Sequence, residues 1–183
     1  MSKSKKLSLL DLQARVKDFC KELDKLKKDV DLALTLESAF GFDPDSVEWV
    51  NLGLSSGRLW AKENAPGFYT WDEAKEEFGE FLPSASAMGE LYEECDWKWD
   101  ESKNGYKVTG PNGNSIFLPA AGYKDSSGDV CGVGRVGEYW TLCPSKTSQA
   151  YARNLYFNSG GIYPLDNGYR AGGFSVRPSR ELS

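Results

Sequence analysis

Residues 105–123 read GYKVTGPNGNSIFLPAAGY, and they are the clearest indicator of the fold class. Two runs rich in aromatic and β-branched residues, 106–109 and 115–118, flank the turn-forming sequence GPNGN. Such runs on either side of a turn rich in Gly, Pro and Asn indicate a β-hairpin. The alternating WKW at residues 97–99 precedes the hairpin, so the chain after residue 96 is predicted to consist of short strands.

The part of the chain before this hairpin predicts another hairpin followed by two helices. The sequence GLSSG at residues 53–57 separates two apolar runs and is read as a turn. Thr70 is placed to cap the helix WDEAKEEF, which Gly79 closes. Ser84 is placed to cap a second helix that runs to about Cys95.

The part after the hairpin predicts a long ordered loop and more strands. Residues 120–137 contain many small residues and little apolar periodicity, which is typical of a loop. Four strands are predicted next, at about residues 138–142, 153–157, 161–163 and 173–177. Helices early and short strands late indicate an α+β domain, which we place at residues 47–183.

Residues 1–40 carry a separate pattern. Apolar residues recur at alternate spacings of three and four, as in the seam of a coiled coil, at Leu9, Leu12, Val16, Phe19, Leu23, Leu26, Val30 and Ala33. Ser8 is a candidate N-cap, and Gly41 and Pro44 end the pattern. This predicts a long N-terminal coiled-coil-type helix that makes the protein a homo-oligomer, with a trimer as the expected state. The alternative is one amphipathic helix packed on its own domain.

Composition and charge exclude several classes of function. The chain has 183 residues, with 22 Lys and Arg against 27 Asp and Glu, and no histidine. A net charge of −5 offers no basic surface to a polyanion, so no nucleic-acid partner is expected. The lack of histidine removes the commonest general base and the commonest metal ligand. These properties argue against an enzyme.

The sequence contains no recognisable motif for catalysis or metal binding. Two acidic pairs, at residues 76–77 and 93–94, fall on predicted helices and are interpreted as solvated faces. Asp125, Asp129 and Asp166 offer oxygen ligands for calcium, but without EF-hand spacing. The cysteines form no CxxC pair and signal neither a zinc site nor a disulfide framework: Cys20, Cys95, Cys131 and Cys143. The sequence predicts no catalytic residue, no metal and no cofactor.

The N-terminus begins like a signal peptide, but Asp11 and Arg15 interrupt the apolar run. No other stretch approaches the length of a membrane span. We therefore expect no membrane insertion and see no export signal in the sequence.

Residues 139–169 are dense in Tyr, Asn, Ser, Gly, Thr and Arg and poor in Lys and Glu. That composition is typical of a recognition surface, because Tyr gives a large contact area at low entropy cost and the small polar residues adapt their hydrogen bonds. The alternative is an ordinary β-rich surface with turn residues.

Five stretches carry a resemblance to a known family: LPSASAMGELYEECDWKWD at 82–100, GYKVTGPNGNSIFLPAAGY at 105–123, GEYW at 137–140, NLYFNSGG at 154–161 and GFSVRP at 173–178. Over about residues 47–180 the chain resembles gut Bacteroidetes and phage proteins of the C-type-lectin / formylglycine-generating-enzyme-like fold. Among these are the variable proteins of diversity-generating retroelements. The resemblance implies a C-type-lectin-like domain whose variable region, about residues 139–178, displays ligand-contacting side chains on a fixed backbone.

In diversified members of that family, adenine-directed mutagenesis alters mainly Asn-type codons, which can never yield Lys, Gln, Glu, Met or Trp. Lys146 and Gln149 fall outside the reachable set and are expected to be fixed. The resemblance implies ligand-binding residues at Thr141, Leu142, Cys143, Ser145, Thr147, Ser148, Tyr151, Arg153, Asn154, Tyr156, Ile162, Tyr163, Leu165, Asp166, Asn167, Tyr169 and Ala171.

The resemblance does not extend to the two well-known activities of the fold. The Glu-Pro-Asn, Gln-Pro-Asp and Trp-Asn-Asp triplets of calcium-dependent sugar binding are absent from the sequence. The active cysteine pair and copper site of formylglycine generation do not map onto this chain. Function therefore has to be argued from the site itself.

We therefore expect a non-catalytic ligand- or receptor-binding protein with a diversified recognition surface, as in a phage or prophage tail-tip adhesin. Its expected place is the virion or an extracellular surface, and its expected partner is a protein or glycan on a cell surface. The alternative is a non-diversified lectin-like surface or secreted binding protein of a gut bacterium.

The expected scaffold of this surface comprises Tyr139, Trp140, Leu155, Phe157, Phe174 and Val176. Strand alternation predicts that Leu155 and Phe157 face inward while Asn154 and Tyr156 face out. The outward side chains are expected to converge on one solvent-facing patch.

Overall fold

The computed structural model describes the backbone of residues 9–182 and the side chains of residues 15–30 and 41–182. The chain divides into two units, residues 1–41 and residues 42–183. Helix α1, Leu9–Phe40, belongs to the first unit. Gly41 follows it with a φ of 63°, the left-handed conformation in which many helices end.

The described residues of the α1 apolar seam are exposed. Val16, Phe19, Leu23, Leu26 and Val30 are between 41% and 62% exposed. A stripe of this kind needs a partner to bury it, and the coiled coil stays a prediction. The remaining seam residues and the candidate cap lie outside the described side chains: Ser8, Leu9, Leu12 and Ala33.

The second unit contains two helices whose caps match the sequence. Helix α2 runs Trp71–Phe78, and Thr70 and Glu73 form a capping box in which each side chain accepts a hydrogen bond from the other residue's backbone N–H. Helix α3 runs Ala85–Glu94, and the Ser84 hydroxyl accepts from a backbone N–H of its first turn. Both predicted helix starts are confirmed. Two short 3-10 helices, Pro44–Ser46 and Gly79–Phe81, follow α1 and α2.

The first two sheets of this unit are antiparallel. Strands β1, Trp49–Asn51, and β2, Leu59–Ala61, form an antiparallel hairpin. A three-stranded antiparallel sheet follows α3, so the predicted hairpin around GPNGN and the strand before it are confirmed: β3 Asp96–Asp100, β4 Gly105–Thr109 and β5 Ser115–Pro119.

The predicted loop at residues 120–137 is wrong in part, because it holds a small two-stranded sheet. Strand β6, Tyr123–Lys124, pairs with β7, Val130–Cys131. Two-residue strands lack the length over which apolar alternation can be read.

The third large sheet carries most of residues 139–178, the region that the resemblance implies to be variable. It consists of β8 Val136–Pro144, β9 Tyr151–Asn158 and β10 Gly161–Tyr169, with β9 in the centre. All three strands are longer than predicted. β10 forms an edge of this sheet, and its register shifts between Tyr163 and Asp166, on either side of Pro164. Such a bulge and a proline are both typical of edge strands.

The predicted strand at 173–177 is wrong in extent. Phe174 forms an isolated bridge with Tyr69, and Ser175 forms one with Tyr139 of β8. The segment is extended but contacts two different neighbours, which apolar alternation alone does not distinguish from one strand. The chain then ends in β11, Ser179–Arg180, which pairs with β2 and closes the first sheet.

Two apolar cores lie against the third sheet. Tyr139, Leu155 and Phe157 belong to a cluster with Met88 and Leu91 of α3, and we call this side the α3 face. Trp140 and Ala152 belong to a second cluster, and we call their side of the sheet the α2 face. This cluster also includes residues of α2 and of the extended segment at 173–177: Trp71, Ala74, Phe78, Phe174 and Val176.

All six residues predicted to form the scaffold are buried, at no more than 6% exposed. The second unit thus combines two helices with small antiparallel sheets, which agrees with the α+β class. Within residues 9–182, no helix has the length and apolar character needed to cross a bilayer.

Candidate ligand-binding surface

Tyrosines are the most prominent exposed side chains of β9 and β10. Tyr151, Tyr163 and Tyr169 are 40%, 53% and 51% exposed, and Tyr156 is half-buried. Tyr151 and Tyr156 lie on β9 together with the buried Leu155 and Phe157. Aromatic contact area therefore stands on a backbone that is fixed by the core beneath it.

The structure divides these side chains between the two faces of the sheet. Tyr156 pairs with Tyr163 and with Glu138, so these three share the α2 face with Trp140, two residues from Glu138. Tyr151 and Tyr169 pair with each other on the opposite, α3 face. The expectation of a single patch is wrong, because residues of opposite parity along a strand point to opposite faces.

We define the α2-face patch as Glu138, Asn154, Tyr156, Tyr163 and Asp166. The rings of Tyr156 and Tyr163 lie 5.6 Å apart between centroids, tilted by 34°. The Asn154 amide Nδ2 donates a hydrogen bond to Glu138 Oε2. Two acids, an amide and two aromatic rings thus share one face of three neighbouring strands.

Glu138 has an unusual protonation equilibrium. Burial, and to a lesser extent the negative charge of Asp166, raise the pKa of its carboxyl to about 8, although the hydrogen bond from Asn154 opposes the shift. A carboxyl with this pKa is mostly protonated at neutral pH. Bringing a cation close would favour its ionised form.

We define the α3-face patch as Tyr151, Arg153, Asn167 and Tyr169. The two tyrosine rings meet edge to face with centroids 5.8 Å apart. The Arg153 guanidinium donates from Nη1 to the Leu165 carbonyl oxygen at 2.8 Å, which ties β9 to the bulge of β10. This patch is aromatic and carries one cation.

Arg170 anchors the connection between β8 and β9. Its guanidinium lies 4.2 Å from the centroid of the Trp71 ring and forms an ion pair with Asp72 at the start of α2. It also donates to the Gln149 carbonyl oxygen at 3.1 Å. The loop at residues 145–150 is thereby held against α2.

That loop and the ends of its strands carry more of the predicted binding residues. Leu142, Thr147 and Ser148 are exposed, while Cys143 and Ser145 are half-buried. The Cys143 Sγ accepts a hydrogen bond from the Ala85 N–H at the start of α3. On and after β10, Ile162 is half-buried, and the remaining predicted residues are exposed: Leu165, Asn167 and Ala171.

Two predicted binding residues are buried. Thr141 is 0% exposed, and its hydroxyl donates to the Arg153 carbonyl oxygen at 2.8 Å, so the prediction that it contacts a ligand is wrong. Asn154 points to the expected face but is only 1% exposed, because its neighbours cover it. Asn154 can orient Glu138, but it presents almost no surface of its own.

Comparison of the chain with protein-family models, curated proteins and solved structures finds no match. The site therefore has to be judged on its own geometry. Glu138 belongs to the α2-face patch, although it was not among the binding residues predicted from the sequence. It lies in GEYW, one of the stretches that carry the family resemblance, and adenine-directed mutagenesis of Asn-type codons cannot produce glutamate. Its position two residues before Trp140 on the same strand was the available signal.

Other chemistry in the described residues is sparse. No group of three His, Cys, Asp or Glu side chains comes together there to hold a metal ion, and the four cysteines are free thiols. Burial, with the charges of Glu94 and Glu90, raises the pKa of Cys95 to about 11, so this side chain is a thiol at neutral pH. The Asp125 carboxylate accepts the N–H groups of Ser127 and Asp129 and thus stabilises a turn.

Proposed function

We propose that residues 42–183 form a non-catalytic ligand-binding domain of C-type-lectin-like fold, with its recognition surface on β9, β10 and the loop before them. The observation that carries the proposal is the exposure of Tyr151 on β9 and of Tyr163 and Tyr169 on β10, which pairs with β9, the strand that contributes Leu155 and Phe157 to the core. Tyrosine provides contact area with little entropy to lose. The two faces of the sheet provide two patches of different character, one acidic and one with a cation.

We also propose that the exposed residues of this surface are diversified. The resemblance of GPNGNSIFLPAAGY and GFSVRP to the retroelement family supports this, together with the reachable codon set at the predicted positions. Exposed side chains also tolerate replacement, since substitutions at the surface usually change stability by no more than about 0.5 kcal/mol.

The setting we propose is a homo-oligomeric adhesin at the tail tip of a phage or prophage. The exposed seam of α1 supports self-association, because burying such a stripe against other copies removes apolar surface from water. Several copies on one cell surface multiply a modest affinity of each domain. The second candidate is a lectin-like surface or secreted binding protein of a gut bacterium without diversification.

The gene itself tests diversification. We expect a near-identical repeat and a reverse-transcriptase gene close by, with differences from codons 141–171 confined to adenines of the repeat. Differences at other bases, or no repeat in the surrounding sequence, would support the second candidate.

A binding experiment tests recognition. The labelled full chain is applied to a glycan array and to intact cells of gut Bacteroidetes strains, and binding is compared with the variant Tyr151→Ser, Tyr163→Ser, Tyr169→Ser. We expect binding to at least one target and a loss of about tenfold or more in the variant, as for hot-spot residues. Tyr92→Ser, at an equally exposed tyrosine of α3, is the matched control. Equal binding by the triple variant and the wild type would contradict the proposal.

A further inference from the structure

We propose that the α2-face patch binds the guanidinium group of an arginine side chain that a protein partner presents. This inference rests on the proposed ligand-binding function and adds the chemistry of one ligand group.

The register brings the patch together in two adjacent rows. Glu138, Tyr156 and Tyr163 are opposite one another across β8, β9 and β10. Asn154 and Asp166 are opposite each other in the next row. Neighbouring strands lie about 4.8 Å apart, so the acids on the two outer strands flank a strip roughly 10 Å wide. A guanidinium group fits between two carboxylates at that separation.

The charges of the patch favour a cation. The Glu138 carboxyl is desolvated, and the charged group that acts on it is a second acid, Asp166. Without a ligand, this repulsion is relieved by keeping a proton on Glu138. A cation between the two carboxylates would relieve it without the proton.

Asn154 provides an independent indication that a hydrogen-bond donor is missing. The side chain is 1% exposed, and its Nδ2 donates to Glu138. Its Oδ1 is buried and accepts no hydrogen bond from the described residues. Since Oδ1 and Nδ2 share one carbon atom, the unpaired acceptor lies beside the same carboxyl. Buried amide oxygens normally have a donor.

The shape of the patch favours guanidinium among cations. The rings of Tyr156 and Tyr163, tilted by 34°, provide an aromatic surface next to the acids. A guanidinium is planar, donates five hydrogen bonds, is weakly hydrated and stacks on aromatic rings. An ammonium group has no flat face to stack, and a divalent metal takes six or more oxygen ligands.

The test is a calorimetric titration of the full chain with N-acetyl-arginine amide. We expect saturable binding, and none by N-acetyl-citrulline amide, which has nearly the same shape without the charge. Affinity should increase from pH 6 to pH 9 and protons should be released at pH 7, because Glu138 must ionise. The titratable groups beside Glu138 are Asp166 from β10 and Tyr156 from β9.

Variants locate the binding. Glu138→Gln and Asp166→Asn should each weaken arginine binding about tenfold, the effect of one charge-assisted hydrogen bond. Asp129→Asn, which makes the same change at an exposed acid of the β6–β7 turn, should leave it unchanged. Equal binding of the citrulline compound, or an equal effect of Asp129→Asn, would overturn the proposal. Calcium binding that Asp166→Asn abolishes, without arginine binding, would overturn it in favour of a metal site.

The outcomes separate this inference from the proposed function. If the triple tyrosine variant loses target binding and the patch does not bind arginine, only the inference fails. If the patch binds arginine while target binding is insensitive to the tyrosines, the proposed recognition surface fails and the cation site stands.

Discussion

Arg177 is a fully buried cation whose partners are carbonyl oxygens rather than acids. It donates to Asn64 Oδ1 and Ala61 O at 2.9 Å, and to Phe117 O at 2.6 Å. These acceptors come from the end of β2, the segment after it and β5. Burial lowers the pKa of the guanidinium from its usual value. Arg177 thus joins the first two sheets to the C-terminal segment.

We expect Arg177→Met to lower the free energy of unfolding by about 3 kcal/mol or more, since it leaves several buried acceptors without a donor. Urea denaturation followed by tryptophan fluorescence measures the change. Arg135→Ala, at an exposed arginine, should stay within about 0.5 kcal/mol. Similar losses in the two variants would show that the buried hydrogen bonds contribute little.

The Glu138 carboxyl should make stability fall with rising pH. The folded chain holds a proton on this group up to a pKa of about 8, whereas the unfolded chain loses it near the ordinary value of 4.5. Between these values the folded state binds more protons, so the free energy of unfolding decreases, by on the order of 1 kcal/mol per pH unit.

Glu138→Gln should remove most of that slope, because an amide carries no charge at any pH. Unfolding in urea at pH 5, 6.5 and 8 measures the slope, and Asp129→Asn should retain the wild-type slope. A wild-type slope in Glu138→Gln would mean that this carboxyl is ionised throughout the range.

Individual site residues were predictable where strand parity and exposure agree. Tyr163 is exposed and Leu155 buried, as alternation requires. Thr141 fails because it is buried and its hydroxyl donates to the Arg153 carbonyl oxygen. Asn154 fails because Phe174 and α2 cover the neighbouring part of the α2 face, at Trp140, and the sequence carries no sign of that cover. Glu138 was missed because glutamate lies outside the reachable codon set, and its raised pKa depends on burial and on Asp166, 28 positions later in the chain.

Two glycines, Gly168 of β10 and Gly89 of α3, differ in the space available for a side chain. A Cβ on Gly168 of β10 would lie 2.2 Å from the Phe174 ring and 2.9 Å from Trp140. A Cβ on Gly89 of α3 would meet nothing within 4 Å. The first glycine allows an aromatic ring to pack against the strand, and the second lowers the stability of its helix without a packing reason.

We expect Gly168→Ala to destabilise the domain by about 1–3 kcal/mol through overpacking. Gly89→Ala should stabilise it by about 0.5–1 kcal/mol through helix propensity. Thermal unfolding of the two variants beside the wild type checks both signs. A destabilised Gly89→Ala would show that α3 packs more tightly at this position than the structure has it.

Element starts were easier to predict than strand lengths. Thr70 and Ser84 cap helices through contacts within four residues, and such local contacts can be predicted from the sequence. The nine-residue lengths of β8 and β10 depend on pairing with β9, which is a tertiary effect. The small β6–β7 sheet was missed because two residues show no period.

For the whole molecule, the exposed seam of α1 leads to a prediction about assembly. Phe19→Glu with Leu26→Glu in the full chain should convert the oligomer to a monomer, because buried charges at seam positions oppose coiled-coil packing. Size-exclusion chromatography with light scattering measures the mass. Lys21→Glu, which changes a charged residue of the same helix, should retain the oligomer. A monomeric wild type, or an oligomeric double variant, would remove this role from α1.

The interrupted edge strand β10 has a consequence for how freely this surface can change. A flat outer strand with continuous unpaired amides recruits strands of other molecules and starts fibrils. Pro164 lacks an N–H, and the register shift beside it bends the edge. Aromatic and apolar side chains can therefore occupy the neighbouring positions without turning the sheet into a template for aggregation, as the proposed diversification of this surface would require.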